Sequence, residues 1–391
     1  MNIKKLKITI LSMSILTVMA GAAVSPALGN IKEYFSGVDD ILIKMILTIP
    51  GLFIMLVSLI FPLILNKFNV KHIALIGIGL YTLGGLLGAF MNDIYMLLFT
   101  RVLLGCGVGL IMPLSTGLLA YYFDQSEQNK LMGYSVAMNN LGGIIAMSLS
   151  GYLASISWNY SFFVYLIGLI TFILVMLFLP KDKIKGTNST VDFKLIREKI
   201  TPLLSMFLMM IAFYSYVTNF SIQATSEYIV AGNQVGIIMS FQSVGAMLLA
   251  LCFGAMTKKA GKNIKYLGLL LFMISFILLL VLNTSVGYML ALALCGAGMG
   301  ISLPQINSTA TQGMDRELAP SIMAMMSVAM YLGQFLSPIL SGYIMKTFSI
   351  TLVRFPYMLA IVSTMTVIII TALSDIRLTS KTAIDSVKSN V

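Results

Sequence analysis

Apolar residues along this chain come in long unbroken runs separated by short polar joints, rather than alternating with polar ones. Twelve runs stand out, at about 8–28, 41–65, 72–90, 94–123, 131–155, 160–179, 203–225, 234–257, 264–282, 287–311, 320–345 and 352–373. Each approaches or exceeds the roughly 20 residues that a helix needs to cross a hydrocarbon core about 30 Å thick. Continuous runs predict helices, since a membrane strand would alternate. Inside two of the runs, small residues recur four apart, at Gly142, Ala146 and Ser150 and at Gly333, Ser337 and Ser341. That spacing lines one helical face with residues that admit a neighbouring helix.

These two stretches are one pattern written twice. Residues 141–152 return as 332–343, displaced by 191 positions, and Gly105, Gly107, Gly109 and Pro113 return as Gly296, Gly298, Gly300 and Pro304 at the same offset. Two motifs at one offset identify a duplicated six-span unit. The expected fold is an all-α integral membrane protein of 12 transmembrane helices. It has two six-helix bundles, residues 1–180 and 202–391, joined by a polar linker at 181–201. A pseudo-twofold axis along the membrane normal relates them, with the cargo site between them near midplane. Within the linker, 191–197 reads either as a small amphipathic helix on the inner leaflet or as a solvated tether. Residues 1–28 also have the lysines, apolar run and small residues of a secretory signal. They are kept as the first span, because removing them breaks the six-plus-six symmetry.

Composition agrees: 58% of residues are hydrophobic and 10% charged, where soluble domains carry about 25% charge. The net charge of +11 raises the question of nucleic acid, but its placement answers it. Threading twelve spans gathers Lys4, Lys5, Lys7, Lys67, Lys71, the 181–199 cluster, Lys258, Lys259, Lys262 and Lys265 on one side. The other side keeps Lys32, Lys346 and Arg354 beside Glu33, Asp39, Asp93 and Glu227. This positive-inside bias puts both termini in the cytoplasm of a multi-pass plasma-membrane protein. Cys106, Cys252 and Cys295 fall inside spans, where packing rather than a disulfide is expected.

The joint between the second and third runs, 62–71 (Pro-Leu-Ile-Leu-Asn-Lys-Phe-Asn-Val-Lys), resembles the signature loop of the major facilitator superfamily. The stretch 254–262 echoes it 192 positions on. Pro62, Asn66 and Asn69 replace the family's first glycine, its aspartate and its second glycine, whereas Lys67 and Lys71 keep cationic positions. The stretch 101–109, opened by Arg101, resembles the family's fourth-helix motif. The stretch 142–151 resembles the fifth-helix motif of its exporters, with Met147 in place of a proline that the second copy retains as Pro338. The likeness implies drug:proton antiport. Asn66, Lys67 and Lys71 would then latch one face, while Gly142, Gly151, Gly333, Pro338 and Gly342 would serve as sliding seams.

Candidate chemistry is sparse. Arg101 lies eight residues past Asp93, roughly 12 Å deep at about 1.5 Å per residue, and an intramembrane cation needs a cavity or a partner. It reads as substrate anchor or as a structural arginine held by backbone carbonyls; its counterpart in the second half is Leu292. Lys44 can snorkel to the interface or act. Asp40 and Glu227, at the ends of spans, are the acids placed for proton exchange, or plain loop charges. Asn139, Asn140, Asn219, Gln223, Gln242, Gln305, Asn307 and Gln334 are candidates for lining a mildly polar cavity, or for bonding helix to helix. The 29 methionines suit an adaptable wall or ordinary packing.

No phosphate loop, His/Cys/Asp cluster or nucleophile–base pair is present, so neither an enzyme nor a cofactor or metal is indicated. The expected function is proton-coupled efflux of hydrophobic or amphipathic small molecules by a monomer in the bilayer. The alternatives are transport of a neutral or anionic metabolite anchored by Arg101, and a transporter-shaped sensor or scaffold.

Overall fold

The computed structural model describes residues 3–184, 197–260, 263–312 and 319–388. Residues 191–196 of the segment read as an amphipathic helix, and the side chains of Lys258, Lys259 and Lys262, lie outside the described residues.

Among the described residues every regular element is helical, and twelve long helices follow in order. They are α1 (Ile3–Tyr34, interrupted at Ser25–Ala27), α2 (Asp40–Lys67), α3 (Val70–Phe90), α4 (Ile94–Tyr122), α5 (Gln125–Ile156) and α6 (Trp158–Phe178). The second set is α7 (Ile200–Ser226), α8 (Val235–Ala260), α9 (Ile264–Val281), α10 (Ser285–Thr311), α11 (Ala319–Thr347) and α12 (Phe355–Lys388). Their starts are fixed by caps readable in the sequence. Asp93 accepts from the Tyr95 and Met96 amides at 2.9 and 3.0 Å, and Thr284, 191 positions on, accepts from the Gly287 amide at 3.1 Å. Asn69 caps α3 through the His72 amide at 2.9 Å. An oxygen at that position satisfies an N–H that the helix leaves open.

Eleven of these helices are long and apolar enough to cross a membrane. The remaining one, α5, has 32 residues but is diluted by Asn139, Asn140 and several serines. Neighbours supply what lipid would otherwise require: α5 packs on α1 within its bundle and on α8 across the molecule.

The packing map repeats itself. The pairs α1·α5, α2·α4, α3·α4 and α3·α6 have counterparts in α7·α11, α8·α10, α9·α10 and α9·α12, and the two bundles meet through α5·α8 and α2·α11. The repeated glycines explain the closeness. A Cβ on Gly105 would stand 2.6 Å from the Pro50 carbonyl, and one on Gly296 would stand 1.8 Å from that of Gln242. At the axis, repeat-related residues touch each other. The Ser25 hydroxyl donates to the Val217 carbonyl at 2.8 Å, and the Gly29 amide donates to the Ser221 hydroxyl at 3.0 Å, each pair 192 apart. A residue bonded to its own duplicate marks a twofold relation.

The bundles seal on the face opposite the termini. There Gly151 lies against Gly236, Gly342 against Ile41 and Gly29 against Ser221 and Thr225. Toward the termini face the described glycines meet only their own bundle, as Gly77 meets Gly107 and Gly268 meets Ser302, or, like Gly117 and Gly133, have nothing within 4 Å. The molecule is closed at one end and open at the other.

Candidate functional site

A cavity of about 430 Å³ lies between the bundles on the termini side of that seal. α1 and α7 contribute Thr17, Gly21, Tyr214 and Tyr216, and α2 and α8 contribute Leu47, Pro50, Ile54, Gln242 and Ser243. Asn140 and Met147 come from α5, Met299 and Pro304 from α10, and Met330, Tyr331 and Gln334 from α11. Among the described residues no Asp, Glu, Lys, Arg or His lines it. Methionines from four different helices, Met147, Met210, Met299 and Met330, give the wall its adaptability,. Near the open end the Tyr331 hydroxyl reaches Met112 Sδ at 2.9 Å, joining the two bundles beside the cavity.

Of the eight amide side chains proposed from sequence, Asn140, Gln242 and Gln334 line the cavity. Asn219 donates to the Val353 carbonyl at 2.9 Å, and Gln223 belongs to the charged cluster around Glu227. Gln305, Asn139 and Asn307 lie off the cavity, and the carbonyl oxygens of the last two are buried without a hydrogen-bond partner.

Arg101 does not reach the cavity. It is 1% exposed inside the first bundle. Its Nη2 donates to the Gly84 and Gly85 carbonyls at 2.8 and 3.1 Å, its Nη1 to the Tyr165 hydroxyl at 3.3 Å, and its guanidinium lies 4.7 Å from the Phe162 ring centre. Gly84 and Gly85 belong to the last turn of the α-helical part of α3, just before it tightens into the 3₁₀ turn Gly88–Phe90, where carbonyls are open to a further donor. A cation there satisfies them and meets the negative end of the helix dipole. The structure thus favours the structural alternative over the anchor. Tyr165 in turn donates to the carbonyl of Ala20, a cavity residue, at 2.8 Å. The signal lay in Gly84, Gly85 and Gly88, since a Cβ on Gly88 would come within 2.6 Å of Arg101 Nη2.

The two acids offered for proton exchange are both in ion pairs. Asp40 accepts from Lys32 at 2.7 Å. Glu227 is gripped by Arg354 through Nε and Nη2 at 2.7 and 2.6 Å, and by Gln223 Nε2 at 2.9 Å. Burial alone would raise the Glu227 carboxyl, but the hydrogen bonds from Arg354 and Gln223 and the Arg354 charge outweigh it, holding the group below its ordinary value. Arg354 is raised in turn, chiefly by its hydrogen bond to Glu227. Arg354 also donates to the Leu280 carbonyl at 2.7 Å, capping the end of α9 as Arg101 caps α3.

The seam residues divide. Gly143, Gly151 and Gly342 meet the other bundle, at Ser243, Gly236 and Ile41, whereas Gly142 and Gly333 pack on Ile15 and Phe207 of their own bundles. Those two glycines therefore pack inside a bundle and not at the seam between bundles. Pro338 interrupts the hydrogen bonding of α11 beside Ser337, whose hydroxyl bonds the Ile211 carbonyl at 2.8 Å. Around the signature loop, the Val70 amide bonds the Asp182 carbonyl at 3.0 Å. Lys67 and Lys71 form no ion pair among the described residues, and Asn66 is exposed at the end of α2.

The family model described as Major Facilitator Superfamily matches residues 10–338 and 202–387. A quinolone resistance protein, NorA of Staphylococcus aureus, is 30% identical over 125 residues, 32% of either chain. Multidrug resistance protein 2 of Bacillus subtilis is 24% identical over 213 residues, 51% of this chain and 53% of that one. These matches therefore span about a third and about a half of the relatives' own lengths. Among solved structures, a mutant of the nucleoside transporter NupG superposes with a TM-score of 0.73 at 14% identity, covering 93% of this chain and 98% of that one, a likeness of fold.

Proposed function

The chain belongs to the Major Facilitator Superfamily; it is a membrane transporter of small molecules rather than an enzyme, and we propose that it exports uncharged or weakly charged hydrophobic compounds in exchange for protons. The observation that carries this reading is the cavity itself: about 430 Å³ of methionine and aromatic wall with three amides and no acidic or basic side chain among the described residues. Such a site rewards apolar area and offers a few hydrogen bonds for orientation. A permanently charged cargo would find no counter-ion in it. The multidrug names of two relatives point the same way.

Alternating access follows from the duplication. Two similar bundles joined through α5·α8 and α2·α11 can be sealed at either end by rocking about the central site. The lysine bias of the termini face supports assigning it to the cytoplasm, so that the cavity opens inward and loads from the cytoplasm or inner leaflet. The linker at 181–201 would then span the bundles on that side.

The test uses the purified protein in liposomes loaded with DNA, with the lipophilic dye Hoechst 33342 outside. Dye should accumulate when the lumen is acid, and an ionophore that collapses the gradient should abolish the effect. Accumulation indifferent to the gradient rules out proton coupling. Indistinguishable behaviour of protein-containing and empty liposomes, for this dye and for a panel of neutral and cationic ones, rules out multidrug export.

A further inference from the structure

Proton exchange requires a titratable group that conformational change can expose and cover, and the expected acids do not provide one. The cavity has no carboxylate among the described residues, Asp40 is paired with Lys32, and Glu227 is paired with Arg354. One charged side chain between the bundles stands apart. Lys44, on α2, is 4% exposed and makes no hydrogen bond or ion pair among the described residues.

Its position is set by the face of α2 that meets α11. Ile41, Lys44, Thr48 and Gly51 follow at helical spacing, so they share that face. Gly342 of α11 packs on Ile41 at one end, and the Gln334 amide lies on Gly51 at the other. Lys44 and Thr48 fall between these two contacts. The Thr48 hydroxyl is fully buried with no hydrogen-bond partner among the described residues. Beyond Lys44, toward the sealed face, is a vestibule of about 470 Å³ lined by Asp39, Asp40 and Lys44 from one bundle and by Lys346, Ser349 and Thr351 from the other. The polar positions thus run from the vestibule through Lys44 and Thr48 to Gln334, which borders the central cavity.

We propose that the Lys44 amine carries the coupled proton, an inference that rests on the proton-coupled reading above. A bare ammonium without a counter-ion is costly inside a protein or membrane. When α2 and α11 part at the sealed face, water reaches the amine and it takes a proton. When they close over it, the unpaired charge becomes expensive, and handing the proton to water removes the cost. The balance is one proton from an ammonium to water, leaving amine and hydronium. The proton departs by way of Thr48 and Gln334 into the cavity and out through its open end. The charges that face Lys44 are Asp39 and Asp40 on its own helix, Lys32 at the end of α1 and Lys346 on α11. Asp40 is neutralised by Lys32, and the Asp39 side chain accepts from the Ile41 amide as a helix cap. Neither forms a salt bridge with the amine.

The test compares Lys44→Met and Lys44→Arg, one never charged and one always charged, with the wild type in Hoechst 33342 liposomes. Lys44→Met should lose accumulation driven by an acid lumen yet keep dye counterflow, the exchange of internal for external dye without a gradient; Lys44→Arg, which cannot shed its charge when the face closes, should lose both. Gradient-driven accumulation retained by either variant overturns the proposal. Loss of counterflow in Lys44→Met overturns it as well, because Lys44 would then be holding the seam rather than carrying a proton. A wild type that performs counterflow but ignores the gradient defeats the proton-coupled reading itself, and this proposal with it, without recourse to any variant.

Discussion

The two seams that join the bundles are copies of one another, and they are furnished differently. In the α5·α8 seam Gly236 lies against Gly151, and Gly143 lies against Ser243. In the α2·α11 seam the residue 192 positions before Gly236 is Lys44, and the long side chain of Gln334 rests on Gly51. One seam is glycine against backbone and a small serine; the other holds a buried amine, a threonine without a partner among the described residues, and a vestibule. The bundles differ in the same manner elsewhere. The first caps its third helix with Arg101, drawn from α4 and stacked on Phe162; the second caps the equivalent α9 with Arg354, 192 positions after Phe162 and paired with Glu227. Duplication has kept the backbone path and the close approaches, while the charges at equivalent points were free to diverge. A symmetric frame can therefore carry an asymmetric, one-sided chemistry.

The sharpest way to break the comparison is to crowd the tight seam. A Cβ at Gly236 would stand 2.0 Å from the Met147 carbonyl. Overpacking of that kind costs about 1–3 kcal/mol, and roughly 1.4 kcal/mol is already a tenfold shift in an equilibrium. Gly236→Val should hold the molecule open at the sealed face and abolish dye accumulation, with Ser25→Cys becoming accessible to a membrane-impermeant maleimide from that side. Wild-type transport by Gly236→Val would mean the seam does not close in the cycle.

Removing the first bundle's cap comes next. Arg101→Ala removes the side-chain donor to the Gly84 and Gly85 carbonyls, and hydrogen bonds from a charged donor contribute roughly 1.5–3 kcal/mol each. The melting temperature in detergent should fall well below wild type, while dye affinity of the folded fraction stays put. A variant of unchanged stability but lost binding would restore the substrate-anchor role.

The second bundle's cap offers a pH signature. Glu227 is held below its ordinary value in the folded protein, so its stabilising contribution is present at neutral pH and disappears as pH falls through the acid range. Wild-type melting temperature should drop on acidification more than that of Glu227→Gln. Parallel curves for the two proteins would show that the pair adds nothing.

The smallest effect belongs to the cavity. Gln334→Leu removes one neutral hydrogen bond, about 0.5–1.5 kcal/mol, and should weaken Hoechst 33342 binding by a few-fold in a fluorescence titration. Gln242→Leu tests the same wall from another helix of that bundle, α8. Unaltered affinity in both would mean the dye binds by apolar contact alone.

Much of the fold is legible in one dimension, because water and lipid impose it before any tertiary contact forms. Apolar runs of spanning length, caps such as Asp93 and Thr284, and glycines repeating at 191 positions give the helix count, the helix starts and the duplication. The small-residue face is legible as a face, but its periodicity cannot say which neighbour it meets; it suggests Gly142 and Gly333 for the seam, and both pack within their own bundles. Charge is least legible. Depth along a helix tells that Arg101 is in the membrane, and only the arrangement of α3, α4 and α6 shows it turned onto the Gly84 and Gly85 carbonyls. Likewise the acids at 40 and 227 and the lysine at 44 are equally plain in the chain; which of them are paired and which is left alone was decided by distances between residues that the fold brings together. Hydrophobic periodicity is a property of consecutive residues and survives without a fold. The pairing of a charge depends on what approaches it across the bundle, and only the packed structure supplies those neighbours.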